Sequence, residues 1–187
     1  MKVVAGILGV ALVATLADYT WYTLHVRHSV TTGIIHGAVL LTAVGAVLGF
    51  DAGRVLKGLP IGALAGVGGA LTYYLLIALM GGGTYGAAIP ASWVNLWLIV
   101  AVLDGRWLRA PERRSWAEIA TRGALAAVLS GVAFVLVMNT LWGRPPETGR
   151  NYVVQFAAWV VAWAPGLLAL TLGDARRRIT GDQDSRR

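Results

Sequence analysis

Six long apolar runs decide what this chain can become: Val3–Leu24, Val30–Phe50, Leu59–Met80, Ala87–Leu103, Thr121–Leu141 and Tyr152–Leu172. A helix needs about 20 such residues to cross a hydrocarbon layer of about 30 Å. Each run is therefore read as one membrane crossing. The fold expected is all-α, a bundle of six transmembrane helices over residues 1–172, followed by a polar, poorly ordered tail over 173–187. Charged residues make up 13% of the chain, against about a quarter in soluble domains. Pro90 lies in the fourth run and is read as a first-turn residue, where a missing N–H costs little. Lys2, the apolar run Val3–Val13 and the small residues Thr15 and Ala17 imitate a secretory leader, but the segment is read as an anchor helix.

Alternate connections differ sharply in basic residues. One side carries thirteen Lys and Arg, among them Arg106, Arg109, Arg113, Arg114 and Arg122, and the other carries three, Arg27, Arg144 and Arg150. The positive-inside rule then puts both termini in the cytoplasm. Tyr19, Trp21, Tyr22, Tyr85, Trp93 and Trp142 gather toward the opposite ends, as interfacial anchors do. This distribution explains the net charge of +7 better than nucleic-acid binding, so no nucleic-acid partner is expected. Arg far exceeds Lys, and Ala and Gly are abundant, which points to a GC-rich bacterial genome and hence a bacterial plasma membrane. With no cysteine, disulfides and thiolate metal sites are excluded.

Helices in lipid associate through small residues that allow close approach. Gly58, Gly62, Gly66 and Ala70 recur at spacing four, as do Gly33 with Gly37 and Gly45 with Gly49 on the second helix, and Gly123, Ala127 and Gly131 on the fifth. Helices 2, 3 and 5 are expected to cross tightly, and such stripes also make a homo-oligomer reasonable. Pro165, within Trp163-Ala164-Pro165-Gly166, removes a backbone hydrogen bond and kinks the sixth helix. A kinked, glycine-rich bundle either encloses a cavity or packs around the kink.

Three helices end alike: Asp51-Ala52-Gly53-Arg54, Asp104-Gly105-Arg106 and Asp174-Ala175-Arg176. An Asp at a helix C-terminus opposes the macrodipole. The pattern reads as a turn whose carboxylate bonds nearby backbone N–H groups, or as a partner-docking or gating carboxylate, for which Asp104 is the candidate.

Ionisable groups at membrane depth are functional suspects. His25, His28 and His36 with Asp18 would suit zinc and an activated water, so a metal-dependent intramembrane hydrolase is one alternative. No Ser-His-Asp order, His-Glu-x-x-His or phosphate loop occurs, and no enzyme activity or cofactor is expected. A small-solute transporter is the other alternative, although helices 2 to 6 carry no acidic residue near the midplane. The remaining polar groups are scattered among apolar ones. His36, Tyr73, Tyr74, Asn95, Asn139, Gln155 and Trp163 are the candidate ligand-binding residues, suiting an amphiphile such as a sterol or a diacylglycerol.

The chain resembles the insulin-induced-gene (Insig) family in the order and spacing of several motifs. Val3–Val10 is similar to that family's opening helix, and Asp51, Arg54 and Gly58 to its Asp-Arg-x-x-Gly. Leu103-Asp104-Gly105-Arg106 resembles its Phe-Asp-Arg, Val137–Trp142 its Val-Tyr-Asn-x-x-Tyr, and Trp163-Ala164-Pro165 its Trp-Leu-Pro. The resemblance implies a non-catalytic six-helix lipid sensor or regulator with both termini cytoplasmic. In animal members an Asp at the inner end of helix 4 holds a sterol-sensing escort protein, and Asp104 matches it by position; the protein partner here is unknown. Ser29–His36 departs from the family's Trp- and Pro-rich start of helix 2, so a diacylglycerol-like lipid is implied as much as a sterol.

Overall fold

The computed structural model describes residues 2–27, 29–81, 85–110, 113–137, 139 and 151–184. Six helices account for nearly all of them: α1 Lys2–Thr23, α2 Val30–Asp51, α3 Val55–Met80, α4 Tyr85–Leu103, α5 Trp116–Val137 and α6 Tyr152–Asp184. All six are long and apolar enough to cross a membrane, and no strand occurs among the described residues. The expected all-α bundle is thus present.

The boundaries differ where charge masks helix. α3 starts at Val55 and α5 at Trp116, because Lys57, Glu118 and Arg122 end a hydropathy run without ending a helix. α6 stays helical to Asp184, through most of the segment expected to be poorly ordered, although its apolar span stops at Leu172. Ala175 and the arginines after it are good helix formers. Pro90 lies in the second turn of α4 rather than the first, since α4 begins at Tyr85.

Each helix packs on its neighbours in the chain, and α6 closes onto α1, so the bundle is a ring in chain order with α2 touching α6 across it. Glycine sets the closest seam, between α2 and α3. A Cβ built at Gly62 would lie 2.0 Å from the Leu41 carbonyl oxygen, and one at Gly45 would lie 2.1 Å from that of Gly58. At Gly66 it would lie 2.2 Å from the Gly37 oxygen. Backbone meets backbone along this seam, which no larger residue permits.

The expected third member of that crossing packs elsewhere. α5 lies on α4 and α6. Its Gly123 approaches Ala101 and Leu98, while a Cβ at Gly131 would meet only Val94, at 3.8 Å. The stripe on α5 meets side chains instead of glycine backbone: close at Gly123, where a Cβ would lie 3.0 Å from Ala101 Cβ, and at ordinary distance at Gly131.

An aromatic cluster fills the ring where α4, α5 and α6 converge. Trp93 stacks on Phe134 with centroids 4.1 Å apart, and Trp159 and Trp163 continue the stack. Trp93 Nε1 donates to Ser130 Oγ, which in turn donates to the Ala162 carbonyl. This carbonyl lies beside Val161, whose own carbonyl lacks its usual donor because Pro165 has no N–H. Gly166, directly after the proline, leaves space for the Trp97 indole: a Cβ there would lie 2.2 Å from that ring.

Ions tie the bundle at the end bearing Asp51 and Asp104. The chain leaves α4 through a π-helical turn, Asp104–Leu108, in which Arg109 N–H reaches back to the Asp104 carbonyl. The Asp104 side chain is fully buried. Its carboxylate accepts from Arg109 Nε and from Arg114, and Arg109 also bonds Asp51 at 3.0 Å. Arg114 and Arg122 both donate to the Leu170 carbonyl of α6. Both carboxylates thus take arginine side chains from the connection that follows α4, in addition to the backbone N–H groups that the turn reading considered. Arg54 and Arg106 instead bond the carbonyls of Leu108 and Arg114. The Asp174 side chain lies outside the described residues.

Candidate functional site: a polar-rimmed chamber in the ring

Toward the other end the ring opens into a chamber of about 600 Å³, walled by α1, α2, α3, α4 and α6. Gly33, Gly37, Gly69 and Ala70 contribute small residues to its lining. Leu40, Leu41, Leu96, Trp93 and Trp163 supply its apolar wall, and Asp18, Tyr22, His25, His36, Tyr73, Tyr74 and Ser92 its polar groups.

Asp18 organises the polar part. Its Oδ2 accepts from Gln155 Nε2 and, at 2.7 Å, from Trp159 Nε1. Its Oδ1 faces His36 Nε2 at 3.5 Å. A carboxylate at membrane depth is costly unless partners compensate it, and here α2 and α6 provide them. Trp21 sets its ring edge-on to the His36 ring, centroids 5.0 Å apart. Above this group, Ser29 and Thr32 form a capping box that starts α2. Tyr74 then reaches across from α3 to donate to the Ser29 carbonyl at 2.9 Å. Gly33 makes that reach possible, because a Cβ there would collide with the phenol.

The candidate residues separate into distinct places. His36, Tyr73, Tyr74 and Trp163 line the chamber. Gln155 stands behind the wall and acts on it through Asp18. Asn95 is turned to the α3–α4 seam, where its Nδ2 donates to Thr72 Oγ1 at 2.7 Å; it is an interhelix tie and does not border the chamber. Asn139 is exposed and also absent from the chamber wall. Asp104 lies in the ionic cluster, with no exposed surface of its own to offer a partner.

Asp18, Trp21 and Trp93 border the chamber without having been candidates for ligand binding. The signal for Asp18 was available, since it is the only carboxylate inside the first apolar run. Trp93 gave none, because an interfacial anchor and a wall residue look alike in sequence. Of the zinc grouping, only part lies among the described residues, where no cluster of three or more metal-ligand side chains occurs. His36 meets Asp18, His25 Nδ1 lies 3.1 Å from the Thr23 carbonyl, and His28 lies outside the described residues. Nε1 of Trp163 and of Trp97 is buried without a hydrogen-bond partner among the described residues.

Comparison with protein-family models, with curated proteins and with solved structures returns no match.

Proposed function

We propose that this protein is a non-enzymatic, lipid-binding membrane sensor or regulator, similar to the Insig family, that holds one amphiphile in the chamber. In this reading it sits in a bacterial plasma membrane with both termini cytoplasmic, and the arginine-rich end faces the cytoplasm. The observation that carries the reading is the Asp18–His36 pair at one side of an otherwise largely apolar chamber. Ligand pockets of roughly 300–1,000 Å³ with apolar walls and a few convergent polar groups suit molecules of this kind. The hydroxyl of a diacylglycerol or a sterol would donate to Asp18 Oδ1, and the hydrocarbon would lie against Leu40, Leu41 and Leu96. A protein partner, unknown in identity, would meet the ionic end and sense Asp104 only through the arginines that cover it.

The test is native mass spectrometry of protein extracted gently from its own membranes. One neutral lipid class at near-stoichiometric level, lost in Asp18→Asn and reduced in Gln155→Leu, supports the reading. A bare protein, or a random sample of bulk phospholipid, overturns it. Solute uptake by proteoliposomes, or stoichiometric zinc lost with His36→Ala, would then identify a transporter or a metal-dependent hydrolase.

A further inference from the structure

A second hollow, of about 420 Å³, lies along the α1–α2 seam. It is bordered by Leu16, Thr20, Ile35 and Val39, all exposed on the bundle surface. With six helices crossing a membrane, this groove faces hydrocarbon. Trp21, Val26 and His36 border the groove and the central chamber alike. The two spaces therefore share a wall, and that wall stands in the thinnest seam between neighbouring helices of the ring. His36 is half-buried, held by Asp18 on one side and by the edge of the Trp21 ring on the other. Rotation of side chains such as these is fast compared with any rearrangement of packed helices.

We infer that the α1–α2 groove is the membrane-side access site of the chamber. The hydrocarbon of a bilayer lipid docks first against Leu16, Ile35 and Val39, then passes inward as Trp21 and His36 swing aside. This inference rests on the lipid reading of the chamber. A water-insoluble amphiphile is stored in the bilayer, and the lipid-facing groove shares Trp21, Val26 and His36 with the chamber. The exposed lining residues Tyr22 and His25 are polar, and a lipid entering past them from the aqueous side would have to expose its chains to water. His36 then has two duties, closing the wall and, once the lipid has passed, facing its head group with Asp18.

Release of a fluorescent diacylglycerol from loaded, full-length protein to acceptor vesicles provides the test, with equilibrium occupancy measured alongside. The chain has no cysteine, so single cysteines can be alkylated selectively. Trp21→Ala should speed release about tenfold, as expected when one bulky side chain is taken out of a barrier. Thr20→Cys carrying a bulky maleimide should slow release by a similar factor at unchanged occupancy. Leu64→Cys with the same label, on an exposed face of α3, should change neither. If wild type is occupied but release is indifferent to both Trp21→Ala and the Thr20 label, the access site is refuted while the lipid reading stands. Slowing by a label on His25→Cys instead of Thr20→Cys would assign the route to the aqueous side and refute it equally. If wild type takes up no lipid, the lipid reading fails and the access site falls with it.

Discussion

Replacing Gly62 by alanine tests whether the α2–α3 seam is closed by backbone contact. The added Cβ would sit 2.0 Å from the Leu41 carbonyl oxygen, 2.8 Å from its carbon and 2.9 Å from Gly45 Cα. All three are backbone atoms, so no side chain can rotate away. The helices must part by about 1 Å, and a gap of that size forfeits a quarter to a half of each dispersion contact it opens. Overpacking of this kind costs about 1–3 kcal/mol, and the lost contacts along the seam add on the order of 1 kcal/mol. Alanine's better helix propensity returns about 1 kcal/mol. The expected net loss for Gly62→Ala is about 2 kcal/mol. Gly131→Ala is the matched control, since its Cβ would meet only Val94, at an ordinary 3.8 Å; only the propensity gain remains, and the protein should be unchanged or slightly more stable. Reversible unfolding in mixed SDS and mild-detergent micelles reads both. Equal stability of the two variants, or a loss confined to Gly131→Ala, would refute the reasoning.

At the ionic end, Asp104→Asn should lose about 3–5 kcal/mol in the same titration, because it leaves two largely buried arginines without their shared carboxylate. Asp51→Asn should lose less than about 1 kcal/mol, since that carboxylate is partly exposed and Arg109 keeps Asp104; equal losses would contradict the assignment of Asp104 as the centre of the cluster. In the aromatic core, Ser130→Ala strands the Trp93 N–H and should cost about 1–3 kcal/mol, together with a shift in tryptophan emission. An unchanged emission and midpoint would mean that Trp93 finds another acceptor.

Long apolar runs are local properties, so the six helices and the basic asymmetry between connections could be read directly from the chain. The α2–α3 glycine seam was legible for a related reason: a spacing of four puts small residues on one helix face whatever lies opposite. The same spacing on α5 gives a close approach only at Gly123, and to α4 instead of α2 or α3, because the opposing helix decides whether a small-residue stripe becomes a backbone contact. Asp51 and Asp104 could be picked out as a recurring motif, but their partners could not. Arg109 and Arg114 meet Asp104 because the π-helical turn folds the following connection back beneath α4.

The chamber shows the same division. His36, Tyr73, Tyr74 and Trp163 were foreseeable as polar or aromatic groups within apolar helices, and they do border it. Asn95 and Asn139 satisfied the same sequence criterion and do not. What the sequence by itself determined is the number of helices, the ends that carry the arginines and the faces able to approach closely, all set by composition and spacing along one helix. Only the tertiary structure decided that α6 closes on α1 and so brings Gln155 and Trp159 to Asp18. That pairing joins residues far apart in the chain, and no local energy term selects it; it arises because the ring can bury a carboxylate only where several helices bring donors to it at once.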